Sequence, residues 1–261
     1  MWELDFISEE DFRHHVQMTI EHYGEKLAPY NLTKFNNNIV DPIKLIFDKT
    51  VYNYSWDEII KNEIFRQRDK ANNNDIGYFH QRIFQYMDGC IVPQAGWDVI
   101  FTKDDGIEMP ECGKVKTVYV EMKNKHNTMN SASSGKTYIK MQDQLLKDDD
   151  CVCCLVEAIA KRSQNITWQV TVDNEKHKHR RIRRVSMDEF YKIVTGQPDA
   201  FYKMCMVLPS VIEEVVQASD TVKTPNDTVI SELKEIAESK NGSFALALYM
   251  LGFGSYIGFG G

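Results

Sequence analysis

No stretch of the chain reaches the roughly 20 apolar residues needed to span a bilayer. The most apolar segment, residues 244–259, is shorter and interrupted by glycines, and reads as core. Nor is there a basic region followed by an apolar one at the start, which runs MWELDFISEE. A cytoplasmic address with reduced thiols is therefore expected, and no membrane partner. Without secretion, the Asn-x-Ser/Thr triplets at Asn31 and Asn165 carry no meaning. Positive charge is also short: 31 Lys and Arg against 38 Asp and Glu leave a formal net charge of −7. Taken alone, that balance argues against nucleic acid as a partner, whose usual footprint is a basic domain. Internal repeats and low-complexity linkers are lacking too. Cysteine is present, but Cys151, Cys153 and Cys154 fall in the buried-strand pattern CVCCLVEAIA, where a free thiol behaves as a small hydrophobe. That reading is preferred to a zinc site.

What is there is an ordinary soluble composition, 43% hydrophobic and 26% charged over 261 residues, enough to bury a substantial core. Residues 1–90 read as mainly helical. Ser8-Glu9-Glu10-Asp11, Asp41-Pro42 and Ser55-Trp56-Asp57-Glu58 are helix starts. The polar patch at 72–75 reads as a break. After Gly89 the period changes to strands near 90–93, 96–102 and 115–123. A polar loop over 124–135 precedes a helix from about Thr137, and further strands fit at 151–159 and 166–172. Ser186-Met187-Asp188-Glu189 opens another helix, with more at 198–206, 209–217, 228–239 and 243–252. The expectation is one α/β domain over 1–261. Its parts are a helical section at 1–90, a mixed sheet core at 90–175, and a basic segment with C-terminal helices at 176–261.

The stretch 96–130 holds the residues that need explaining. GWDVIFT and VKTVYVEMKNK are two β-type runs joined by the turn-rich punctuation at 104–106 and 110–113, a hairpin pattern. In the second run a period of two puts Val118, Val120 and Met122 on one face and Tyr119, Glu121 and Lys123 on the other. Asp98 in the first run brings a second carboxylate. Two carboxylates from neighbouring strands suit a hard divalent cation such as Mg²⁺, and a lysine beside it can orient water or hold a phosphate oxygen. That is phosphodiester chemistry.

Asp98 followed by Glu121-Met122-Lys123, within an α-β-β-β-α-β order, resembles the PD-(D/E)xK nuclease superfamily. The segments EMKNKHNTMNSASSGKTYIKMQ, IGYFHQRIFQYM, GWDVIF and RIRRVSMDEFYKIVTGQPDAFYKM resemble type II restriction endonucleases that cut GGNCC-type sites. One departure from the superfamily pattern is Trp97 in place of the proline expected before Asp98. The resemblance implies a restriction-endonuclease-like mixed sheet flanked by helices, with additional N- and C-terminal helices. It also implies Mg²⁺-dependent hydrolysis of double-stranded DNA and a homodimer on a palindromic site. Asp98, Glu121 and Lys123 would be catalytic, with Asp98, Glu121 and the Met122 carbonyl on the metal. Gln142 corresponds to a helical glutamine or glutamate of related nucleases. Gln81 and Glu63 are further supporting candidates, against the plain alternative of polarity at the core edge. A repair or junction-resolving nuclease on the same core, or a non-catalytic DNA-binding module, is the alternative function.

The loop NKHNTMNSASSGK is either a solvated connector or a wall of the DNA groove. On the second reading Lys125, His126, Asn127, Asn130, Ser133 and Lys136 touch bases or phosphates. His126 is also a candidate base. KHKHRRIRR at 176–184 holds six Lys and Arg in nine residues, and removing them takes the rest of the chain from −7 to −13. Positive charge is thus concentrated locally, and Arg180, Arg181 and Arg183 are expected on DNA from an extended segment.

Overall fold

In the computed structural model, residues 2–126, 128–172, 174–219 and 225–253 are described. Three of the helix starts read from the sequence, at Ser8, Asp41 and Ser55, are made by side-chain caps, whereas Ser186 opens its helix without a side-chain cap bond. Helix α1 (Glu9–Lys26) begins where Ser8 Oγ accepts the amide of Asp11 at 3.0 Å. After the short α2 (Leu32–Asn36), α3 (Pro42–Tyr52) is capped by Asp41 Oδ1, which accepts the amides of Ile43 and Lys44. Ser55 and Glu58 form a reciprocal capping box at the start of α4 (Trp56–Arg82). The break expected at 72–75 does not occur. Asn73 Nδ2 donates to the Asp69 carbonyl and carboxylate one turn back, so its polar group is satisfied without leaving the helix.

A 3-10 turn (Ile83–Tyr86) leads into the strands β1 (Cys90–Ile91), β2 (Val99–Met109) and β3 (Gly113–Lys125). Helix α5 (Ser131–Lys147) precedes β4 (Cys151–Ile159), β5 (Asn165–Val172) and β6 (Glu175–Ser186). Among the described residues these form one six-stranded sheet in the order β1-β2-β3-β4-β6-β5. The β3–β4 and β4–β6 pairs are parallel and the others antiparallel, giving the mixed sheet. Three details differ from expectation. The 104–106 punctuation is a register shift inside β2 rather than the turn, which comes at 110–112. Helix α5 starts six residues early because Asn130 Oδ1 accepts the Ser133 amide and caps it. The basic run is itself a strand, inserted between β4 and β5.

The chain ends in α6 (Met187–Thr195), α7 (Ala200–Ala218), α8 (Val229–Ser239) and α9 (Phe244–Phe253). Pro209 lies inside α7, so the two helices expected around it are one. The chain divides into two compact units, Met1–Ile20 with Ile76–Ala218, and Glu21–Asp75 with Ser219–Gly261, two of the three divisions falling within α1 and α4. In the first unit, Val118, Val120 and Met122 pack on one face of the sheet with Phe84, Phe190 and Met204, each full burial contributing about 1.5–3 kcal/mol. On the other face α5 sets Tyr138, Met141 and Leu145 against Cys153, Leu155 and Ile182. The second unit has its own core, with Phe35, Leu45 and Ile60 packed among Val229, Leu233 and Leu248.

Candidate active site

The alternation of β3 leaves Glu121 and Lys123 on the α5 face, half-buried, while their neighbours Val120 and Met122 are buried in the opposite core. Lys123 Nζ donates to Glu121 Oε1 at 3.0 Å. Asp98 sits just before β2. Its amide donates to the Val120 carbonyl at 2.9 Å, and its Oδ2 accepts the Met122 amide at 2.6 Å. Asp98 is thereby fastened to the strand that carries Glu121 and Lys123. Gly96, at φ +96, provides the left-handed backbone that leads into Trp97 and Asp98.

A second lysine completes the cluster. Lys140 Nζ on α5 donates to Glu121 Oε2 at 2.7 Å and to the Gly96 carbonyl, and lies 4.1 Å from the centroid of the Trp97 ring. The two carboxylates respond in opposite directions. Burial raises the Asp98 carboxyl, opposed by the Met122 amide bond and reinforced by the charge of Glu121. Burial also pushes Glu121 upward, but the hydrogen bonds from Lys140 and Lys123 prevail and hold it below the usual carboxylate range. Glu121 is ionised in this environment, whereas Asp98 would gain from a cation.

Among the described residues, no group of three or more His, Cys, Asp and Glu side chains gathers to hold a metal. Asp98 and Glu121 supply two carboxylates, the number around which magnesium is commonly held with water in the remaining positions. The cysteine cluster is divided between the two faces of the sheet, with Cys151 and Cys153 on one and Cys154 on the other. Burial raises the Cys154 thiol to about 12, so these side chains are packing groups.

The remaining candidates separate. Lys125 and Lys136 are exposed. Asn130 Oδ1 is occupied as the α5 cap, and Ser133 Oγ donates to the Asn130 carbonyl at 3.0 Å. Asn127 lies outside the described residues. His126 Nδ1 stands 3.1 Å from Glu157 Oε2 and 2.6 Å from Arg184 Nη2. Arg180 is exposed, and Arg181 Nη1 donates to the Asp149 carbonyl. Arg183 is fully buried: Nε and Nη2 bond the side chain and carbonyl of Asn165, and Nη1 bonds the Arg180 carbonyl. A side chain so enclosed fastens β5 to β6 and has no face left for a duplex. Gln142 is exposed, roughly 200° around α5 from Lys140. Gln81 is half-buried on α4. Glu63 belongs to the second unit, where it bonds Arg66 and Gln67. Lys140, on the Glu121 carboxylate, and the neighbouring Arg184–Glu157 pair are not singled out by the sequence.

A family model described as Eco47II restriction endonuclease matches residues 4–217. The chain belongs to this family. Type II restriction enzyme Sau96I of Staphylococcus aureus is 27% identical over 266 residues, covering 98% of both chains. Type II restriction enzyme Eco47II of Escherichia coli is 26% identical over 223 residues, covering 82% of this chain and 88% of the relative. As a member of the Eco47II family the protein is a type II restriction endonuclease, a site-specific deoxyribonuclease that binds double-stranded DNA. Its mixed sheet with flanking helices is the architecture expected of such an enzyme. The family implies a divalent metal cofactor. Among the described residues, no helix is long and apolar enough to cross a membrane.

Proposed function

We propose that this restriction endonuclease cleaves a short palindromic site of the GGNCC type through a PD-(D/E)xK centre formed by Asp98, Glu121 and Lys123. The proposal extends to a homodimer, with one such centre for each strand of the site, working in the cytoplasm, and to residues 1–261 as a single nuclease domain. The observation that carries it is the fastening of Asp98 to the Met122 amide at 2.6 Å beside the Lys123–Glu121 pair at 3.0 Å. Asp98 and Glu121, with the Met122 carbonyl, form an all-oxygen donor set that fits Mg²⁺. When bound there, the ion supplies Lewis-acid stabilisation of the charge that develops on the phosphate.

The protein's own groups do the rest. Lys123, an ammonium paired with Glu121, orients the attacking water, whose proton passes to the surrounding solvent. Lys140 and Lys123 together keep Glu121 ionised. The water oxygen bonds to phosphorus as the bond to the 3′ oxygen breaks. That oxygen takes a proton, leaving a 5′-phosphate and a 3′-hydroxyl. Lys125, Lys136 and Arg180, all exposed, are proposed to lie along the DNA backbone, with Arg181, His126, Asn127, Asn130 and Ser133 near them. Gln142, Gln81 and Glu63 are left without a catalytic part.

Digestion of plasmid DNA with and without magnesium tests this reading, followed by sequencing of the ends. Discrete fragments with 5′-phosphates at a GGNCC-type site are expected. Random nicking, or cutting indifferent to divalent metal, would overturn it.

A further inference from the structure

The α5 face of the sheet carries a third carboxylate that the hydrolytic reading leaves unused. Glu157 on β4 stands opposite Lys123 in the parallel β3–β4 register, so both side chains leave the sheet on one face as neighbours. Glu157 is 2% exposed. A buried carboxylate beside an ammonium is a strong competitor for it, yet Lys123 Nζ bonds Glu121 two residues back along its own strand.

What separates the two glutamates is that Glu157 is already occupied. Arg184 Nη2 donates to Glu157 Oε1, and His126 Nδ1 lies 3.1 Å from Oε2. These bonds outweigh burial and hold Glu157 in its charged form. Arg184 comes to this face by the pleat of β6, where it pairs with Leu155 of β4. Sequence position alone would put it in the same block as the buried Arg183. A cavity of about 280 Å³ has Lys123, Glu157 and Arg184 in its wall, so Lys123 has room to turn toward Glu157. Four cationic or protonatable groups thus serve two carboxylates in separate sets, Lys123 and Lys140 on Glu121, and Arg184 and His126 on Glu157.

We propose that Arg184, seconded by His126, occupies Glu157 so that Lys123 stays on Glu121, which makes Arg184 a positioning residue for DNA cleavage. The inference rests on the assignment of Lys123 to the hydrolytic step. Arg184→Gln exposes the Glu157 carboxylate to Lys123 and draws it out of place. Removing that carboxylate as well releases Lys123 again. A residue that merely grips DNA or holds the fold has no reason to be rescued by the loss of a second charge.

The experiment is steady-state cleavage of a duplex bearing the site that the wild-type enzyme cuts, in magnesium. It compares Arg184→Gln, Glu157→Gln, the double variant and Lys123→Ala, with folding followed by circular dichroism. Arg184→Gln is expected to lower kcat by at least about tenfold and to leave KM within about twofold. Glu157→Gln added to it should bring kcat back to within about threefold of wild type. Glu157→Gln alone should keep its kcat, a result that stands even where Arg184→Gln does not fold. A double variant as slow as Arg184→Gln overturns the inference, as does a kcat lost in Glu157→Gln alone, or an Arg184→Gln defect confined to KM. Those outcomes with a slow Lys123→Ala enzyme remove the inference only. A Lys123→Ala enzyme that cuts at the wild-type rate removes the reading of Lys123 on which it stands.

Discussion

The ammonium of Lys140 lies 4.1 Å from the centroid of the Trp97 indole while donating to Glu121 at 2.7 Å. Trp97 therefore gives the residue before Asp98 a use that a proline would not: its ring, 5.4 Å from Tyr119, forms a platform that seats a cation against the site glutamate. The first expectation comes from that contact. Lys140 is one of two hydrogen-bond donors lowering the Glu121 carboxyl, so Lys140→Ala lets burial raise it. Glu121 then stays protonated to higher pH, and the acid limb of the kcat/KM profile should move upward. Superimposed limbs for wild type and variant would show that Lys140 does not tune Glu121.

Replacing the site residues themselves should divide chemistry from binding. Asp98→Ala and Glu121→Ala are expected to abolish plasmid cleavage while the circular dichroism spectrum stays native. Lys123→Ala should bind the cut duplex in a gel-shift assay yet lose about 10²-fold or more in kcat. Wild-type turnover in either carboxylate variant would dismiss the metal-ligand assignment.

The arginines of β6 should behave unlike one another. Arg183 is wholly enclosed and its hydrogen bonds hold Asn165, so Arg183→Ala should destabilise the fold, read as a large drop in Tm. Arg180 is exposed, and Arg180→Ala should leave Tm nearly unchanged while reducing the slope of binding against log salt by about 1. The opposite pattern would reverse the two roles.

Acid sensitivity has a source away from Asp98 and Glu121. The His15 ring is buried against Phe79 and Tyr86, and burial lowers it from 6.5 to about 4 despite its bond to the Phe79 carbonyl. Because the folded value is depressed, the unfolded chain takes up the proton first as pH falls. The stabilisation is complete above 6.5 and is lost on the way down to about 4, a difference on the order of 3 kcal/mol. His80 is lowered by burial as well. Thermal melts across that window should fall more steeply for wild type than for His15→Phe, and parallel curves would refute the assignment.

The strand that carries Glu121 and Lys123 is legible in the sequence because a half-buried strand has one simple rule. Alternation alone sorts Val118, Val120 and Met122 from Tyr119, Glu121 and Lys123, and the structure repeats that division. The flanking helices are legible where a cap announces them, as at Ser8, Asp41 and Ser55. Composition misleads where a side chain finds a partner inside the element, as Asn73 does with Asp69. Lys140 is hidden because a lysine on an amphipathic helix looks like any solvated one until Gly96 and Glu121 are brought beside it. Arg183 and Arg184 are adjacent letters in one basic word, and only the pleat of a strand with two neighbours sends them to different sides.

That strand grades its charge along its length. Lys176, Lys178, His179 and Arg180 at its outer end are exposed, while Ile182 through Ser186 are built into the sheet between β4 and β5. If Arg180 lies on DNA as proposed, grip on the substrate can be retuned by mutation at the tip with little cost to folding, whereas the inner half tolerates almost no change. Variation among descendants of this enzyme should accumulate at one end of β6 and stop abruptly near its middle.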